Sequence, residues 1–364
     1  MALYEQRLQT DLTQIRHEIL LIGERVENAL HNALSALFTQ NDALANATIL
    51  GDLGINRLCL NLDRLCHHCI IRHQPSAGHL RLVLSVLGML SELERVGDYT
   101  TTISRASLHM QSQPAGSLRQ DLDAMAHSAG TMLHQALTAF ATQEIPLARN
   151  TMQMADGVGR QLDVALADLA KEEEQHPDRV SFILDMSTVF YMLERVSDRA
   201  KNICEETLFM VAGETKPEKV FTILFIDQEN AIQSQMAKAI ARQSYPTQAI
   251  FRSAGLQAGT IPPSLVDFMR QQGCPMDDLR PRALETLSLT EENQIIVSLE
   301  GPVRSYPLEL SFHTIFLDWT VGDPPTEMAD PPTGEAQYAA LYQEITAQVR
   351  GLMTILRGEE VGSA

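Results

Sequence analysis

The sequence predicts a multidomain protein: all-α tandem three-helix bundles followed by an α/β domain with a mainly parallel sheet. Three observations predict this. The pentapeptide Glu94-Arg95-Val96-Gly97-Asp98 recurs as Glu194-Arg195-Val196-Ser197-Asp198 one hundred residues later, which marks an internal duplication. Apolar residues recur in steps of three and four through the first part of the chain, the period of helices with one buried face. After Lys216-Pro217-Glu218-Lys219 the texture changes to short apolar runs that alternate with helical patterns, as in strand–loop–helix units.

Leu12, Ile15, Ile19, Ile22, Val26, Leu30, Leu34 and Leu37 place a first helix at residues 12–40. Residues 43–73 and 77–112 read as the second and third, parted by Gln74-Pro75-Ser76. Gln113-Pro114-Ala115-Gly116-Ser117 is a turn-rich linker. The order then repeats with helices at 118–141, 144–174 and 178–212, broken at Gln175-His176-Pro177 and closed by Gly213 as a C-terminal cap. Val220 to Ile226 is a buried-strand run, followed by a polar loop from Asp227 to Gln233 and a helix at Ser234–Gln243. Further strands are expected at 249–251, 294–297 and 314–317, and further helices at 262–272 and 335–357. The domains expected are therefore residues 1–112, 118–213 and 219–358.

The net charge is −18, with 17 Lys+Arg against 27 Asp+Glu in residues 1–215 and 11 against 19 in residues 216–364. Both parts are acidic and neither holds a Lys/Arg run, which disfavours a nucleic-acid partner. No apolar stretch approaches the ~20 residues that span a bilayer, so membrane insertion is not expected. The start, Met1-Ala2-Leu3-Tyr4-Glu5, has no secretory pattern, and a cytoplasmic protein is expected. The five cysteines are odd in number and mostly helical, against a disulfide framework. Cys66-His67-His68-Cys69 carries zinc-type residues but has no second C-x-x-C and continues a helical pattern. The methionines between 125 and 210 read as core filler.

On a helix, residues i and i+4 share a face, so Glu94 with Asp98 and Glu194 with Asp198 each set two carboxylates side by side. Such pairs repel unless a cation or an arginine neutralises them, and Arg95 and Arg195 stand within the motifs. Asp52 and Asn56 on the preceding helix of the first copy, and Asp156 and Asp163 in the second, add acceptors suited to a hard metal.

Ser91 to Asp98 resembles the signature of the PhoU family of phosphate-uptake regulators. Tyr191-Met192-Leu193-Glu194-Arg195-Val196-Ser197-Asp198-Arg199-Ala200-Lys201-Asn202, continuing to Glu214, resembles it more fully, and Gln74-Pro75-Ser76-Ala77 is similar to the family's turn between its second and third helices. The resemblance covers roughly residues 1–215. It implies two tandem three-helix bundles. It implies multinuclear iron or another divalent metal held by Glu94, Asp98, Glu194 and Asp198, with Asp52, Asn56, Asp156 and Asn202 as further members. Gly159, Gly54 and Leu60 depart from the acidic pattern. It also implies a regulator that binds a phosphate ABC transporter ATPase or a membrane sensor kinase, forms a homodimer, and sits at the inner membrane through its protein partners. Metal storage is an alternative reading.

Residues 223–237 resemble the opening of the low-molecular-weight tyrosine phosphatase and arsenate reductase family, with Asn230, Ser234 and Met236-Ala237 matching. Asp323-Pro324 is similar to that family's general-acid loop. The family's nucleophilic cysteine falls at Asp227, and its phosphate-gripping arginine at Gln233. A thiolate is what attacks phosphorus or arsenic in this chemistry. A carboxylate there repels a dianion, Glu229 adds to the repulsion, and Gln233 supplies no bidentate cation. The expectation is a pseudoenzyme domain. The alternative is a phosphatase or arsenate reductase with altered chemistry, such as an aspartyl nucleophile.

Overall fold

The computed structural model describes residues 2–110, 112–216, 220–276, 279–286, 294–308, 314–325 and 331–358. Pro217-Glu218-Lys219, at the change in sequence texture, lies outside them. The chain divides into two compact units, residues 1–217 and 218–364.

The first unit holds six long helices: α1 (Ala2–Thr39), α2 (Asp42–His73), α3 (Ala77–His109), α4 (Gly116–Thr142), α5 (Ile145–Gln175) and α6 (Val180–Ala212). They form the two expected three-helix groups, α1–α3 and α4–α6. Helix α1 begins ten residues before the expected start, because Leu8 and Leu12 continue its buried stripe toward the N-terminus. Asn41 caps α2 through its side chain, which accepts from the Leu44 N–H at 3.1 Å. Gln74, in the left-handed region at φ 45°, ends α2 and gives its N–H to the Ile70 carbonyl. One apolar core runs through all six helices, with Ile15, Ile19, Met89, Leu93, Met132 and Phe190 fully enclosed. Met125, Met132 and Met186 are core residues, as expected. All five cysteines are free and buried.

The second unit is a four-stranded parallel sheet in the order β2-β1-β3-β4, built from β1 (Phe221–Asp227), β2 (Ala249–Gly255), β3 (Ile295–Ser298) and β4 (Ile315–Asp318). Strand β1 is central and covered on both faces. Ile223 and Phe225 point to the side holding α7 (Gln233–Ser244), α8 (Pro263–Gln271) and α9 (Pro331–Leu356), while Leu224 and Ile226 face Ala254, Leu284, Val303 and Tyr306. This two-sided burial explains the unbroken apolar run in the sequence. From β1 the chain pairs first with β2 on one side and later with β3 on the other. The carboxyl end of β1 is therefore the switch point where ligands of such sheets bind, and Asp227 stands there.

Phe190 has no exposed surface in the helical core. Phe190→Ala is expected to lower the unfolding free energy by about 3–5 kcal/mol, measured by urea titration followed by helical circular dichroism.

Candidate functional site

In the first copy, α2 brings Asp52 and Asn56 against α3. Asn56 Nδ2 donates to Asp52 Oδ2 at 3.0 Å. The missing side chain of Gly97 makes this approach possible, since a Cβ there would lie 2.8 Å from Asp52 Oδ1. Burial and the neighbouring Asp98 push the Asp52 carboxyl above its usual range. Glu94 is exposed on the same side and, with Asp52, helps raise the Cys59 thiol to about 12, an effect led by burial. The structure thus sets Asp52 against Asn56 and near Asp98, with Glu94 and Asp52 both acting on Cys59. Asp52 Oδ1 and Asn56 Oδ1 are enclosed and have no hydrogen-bond partner.

The second copy is arranged differently. Glu194 is buried, and Arg195 lies between it and Asp198, at 3.6 Å and 3.5 Å. The motif's own arginine therefore supplies the neutralising charge. Asp156 is exposed. Asp163 and Glu194 both bear on Tyr191, whose hydroxyl is pushed up chiefly by burial. Asn202 does not join this group, because its Nδ2 donates to Glu92 Oε2 on α3 at 3.0 Å. Among the described residues no three His, Cys, Asp or Glu side chains converge on a position that a metal ion would take. The orphaned oxygens of Asp52 and Asn56 are the part of the set suited to a single hard cation.

The seam between α3 and α6 was not legible beforehand. Arg199 and Asn202 of α6 both donate to Glu92 at 3.0 Å, the Ser85 hydroxyl donates to the Glu206 carbonyl at 2.9 Å, and Arg81 Nε reaches the Met210 carbonyl. Rising numbers on α3 meet falling numbers on α6, so the two helices run antiparallel. The Glu206 carboxylate rests on Gly88, within 2.4 Å of where a Cβ would stand, and burial raises its pKa. Glu92, Arg199 and Asn202 all lie in the motif segments, but a sequence does not say which helix faces are paired. Cys66 and Cys69 are buried while His67 and His68 are exposed, so the four residues of that segment do not face one centre.

In the α/β unit the loop after β1 closes around its own first residue. The Asn230 N–H donates to Asp227 Oδ1 at 2.5 Å, and the Ser234 N–H, in the first turn of α7, donates to Oδ2 at 2.9 Å. A carboxylate at a helix N-terminus is favourably placed against the dipole. Burial nevertheless leaves the Asp227 pKa above its usual value, against the pull of these hydrogen bonds. Asn230, at φ 49°, ties the loop together. Its Nδ2 donates to Ser234 Oγ, and its Oδ1 accepts from Gln235 Nε2 and the Arg282 N–H. Gln233 Nε2 donates to the Gly322 carbonyl at 3.0 Å, which brings the segment of the exposed Asp323 against the loop. Gly255 of β2 passes so close that a Cβ would lie 2.4 Å from the Asn230 nitrogen.

Two measurements follow from these geometries. A carboxyl with a raised folded pKa contributes stability below its unfolded value, here 3.8, and loses it as pH rises through the folded pKa. Asp52→Asn is therefore expected to raise the melting temperature at pH 8, with the gain vanishing toward pH ~4; an equal gain at every pH would contradict it. Gly255→Ala forces a methyl group into backbone and is expected to cost at least ~2 kcal/mol, read from the unfolding transition of the variant.

The comparisons with known proteins agree with this division. The PhoU domain model matches residues 19–107 and 122–207, and the low molecular weight phosphotyrosine protein phosphatase model matches residues 222–361. The phosphate-specific transport system accessory protein PhoU of Serratia marcescens is 29% identical over 208 residues, covering 57% of this chain and 86% of that protein. The crystal structure of PhoU from Pseudomonas aeruginosa is 29% identical with a TM-score of 0.54, covering 57% of this chain and 99% of its own. A solved arsenate reductase in the phosphate binding state covers 38% of this chain and 99% of its own at 20% identity, with a TM-score of 0.33. Residues 19–107 and 122–207 thus carry a tandem PhoU domain, and residues 222–361 a low molecular weight phosphotyrosine phosphatase-like domain.

Proposed function

We propose that this protein is an accessory regulator of a phosphate transport system that acts by binding, through its helical unit, the transporter's ATPase or a membrane sensor kinase. The observation that carries this reading is the duplicated PhoU domain, matched in both copies at corresponding helices. Regulation by contact needs no reacting group, and the helical unit's charged motifs are largely neutralised from within, by Arg195 in the second copy and by Arg199 at Glu92. A homodimer, and attachment to the membrane through protein partners, belong to the same reading. No helix of the described residues is long and apolar enough to cross a membrane.

The α/β unit serves in this reading as a non-hydrolytic accessory module. Asp227 takes two backbone N–H donors at the β1 switch point that an incoming anion would need, and it presents like charge to that anion. Gln233, turned to the Gly322 carbonyl, offers no cation in return.

A second reading concerns the first helical copy. The orphaned Asp52 and Asn56 oxygens beside Asp98 favour one divalent cation of oxygen-ligand type, iron included, which would offset both the burial and the Asp98 repulsion that raise Asp52. Asp52, Asn56 and Asp98 would hold it. Elemental analysis of the purified chain showing only trace metal, with a melting curve unchanged by chelator, would remove this reading.

The main proposal is tested by capture of the tagged full chain in its native cell extract at moderate salt. Recovery of a phosphate-transport ATPase or a phosphate sensor kinase is the expected outcome, and absence of both sinks it. Aryl phosphate hydrolysis is expected to stay at the buffer rate; hydrolysis that disappears in Asp227→Asn would instead make the domain an enzyme with an aspartyl nucleophile.

A further inference from the structure

Helix α2 carries a second apolar stripe on the side turned away from the core. Leu50, Leu53, Leu60 and Ile71 are 69%, 60%, 58% and 77% exposed, although each is a large aliphatic residue. Together with the exposed Arg57, Arg64 and His67 they fall at positions 50, 53, 57, 60, 64, 67 and 71, in steps of three and four without a break. That is the a/d seam of a coiled coil, sustained for about 32 Å of helix.

The fold itself does not require this stripe, as the duplication shows. The buried faces of α2 and α5 superpose at a spacing of 103 residues, with Ala45 matching Ala148, Ile55 matching Val158 and Leu62 matching Ala165. At the same spacing Leu50, Leu53, Leu60 and Ile71 correspond to Gln153, Asp156, Asp163 and Glu174. One copy presents polar side chains where the other presents aliphatic ones.

We propose that the outer face of α2 is a docking seam for an acidic amphipathic helix of another protein, with carboxylates placed opposite Arg57 and Arg64. Charge selects this occupant. A second copy in a parallel pair would set Arg57 against Arg57 and Arg64 against Arg64. An antiparallel pair would bury both guanidiniums against leucines without a counter-charge. A bilayer surface would take the leucines, but the arginines stand within the stripe rather than at its borders and would be driven to apolar depth. An acidic helix satisfies both the leucines and the two arginines, while His67 of the stripe already meets Asp63 on α2 itself. The inference stands on α2 alone and does not depend on which transport component the protein meets.

The probe is a labelled synthetic helix of about four heptads with Leu at its a and d positions except for Glu opposite the two arginines. A control peptide carries Lys in place of Glu. Fluorescence anisotropy with the full chain should give saturable binding of the acidic peptide and at least about tenfold weaker binding of the control. The double variant Leu53→Asp/Leu60→Asp, which installs the residue type that α5 carries at those positions, should fold and lose at least about tenfold in affinity. Equal binding of the two peptides, no saturable binding, or binding unchanged in the variant would overturn the proposal. So would a dimer in sedimentation that the variant dissolves, since the occupant would then be a second copy. Co-flotation with phosphatidylserine vesicles that the variant abolishes would assign the seam to lipid and overturn it as well.

Discussion

The helical unit depends on the antiparallel packing of α3 against α6, through which the two three-helix bundles share one core. Each of these helices already buries one face within its own bundle, so the seam must be made from what remains. It is made from small residues and a few buried polar links. Gly88 admits the Glu206 carboxylate, and Glu92 receives both Arg199 and Asn202. A half-buried acid is tolerable where donors meet it, and the guanidinium and amide at Glu92 do so. The rest follows from this seam: once α3 and α6 are fixed, α2 and α5 are held on the outer flanks and the repeated motifs are turned toward them.

The two copies then diverged under the same constraint. In the first, Gly97 leaves room for Asp52 to approach α3, and the neighbouring Asp98 adds to the burial that raises the Asp52 carboxyl. In the second, Ser197 replaces that glycine, its hydroxyl bonds back to the Glu194 carbonyl, and Arg195 neutralises the acids. A duplication conserves the buried period of each helix because a mismatch there opens cavities, while exposed positions are free to change. Hence α2 and α5 keep a common inner face and differ almost entirely outside.

Much of the fold was legible because it is written in period and punctuation. Steps of three and four gave the six helices, and Gln74-Pro75-Ser76 and Gly213 gave their ends; the structure moves these bounds by a few residues except at the start of α1. The unbroken run at β1 announced a strand covered on both faces. The candidate site was less legible. The spacing set Glu94 and Asp98 on one helix face, but it could not show that the exposed Arg195 would lie between Glu194 and Asp198, or that Asn202 would face the other bundle, which depends on which helices meet. The acid at position 227 was visible; its two backbone donors were not, because backbone N–H groups leave no mark in a sequence.

The closed loop at Asp227 has a further consequence, best expressed as concentration. A carboxylate fixed by a covalent chain at the mouth of its own donors is an intramolecular ligand, and its effective concentration exceeds the millimolar range of a flexible tether. A free anion must displace it at full cost, and the Gln233 amide is already engaged with the Gly322 carbonyl. Occupancy of the loop should thus be nearly flat across ordinary variations in phosphate. If this protein reports phosphate supply, the report enters through the state of the proteins it touches, and the α/β unit is buffered against the ion itself.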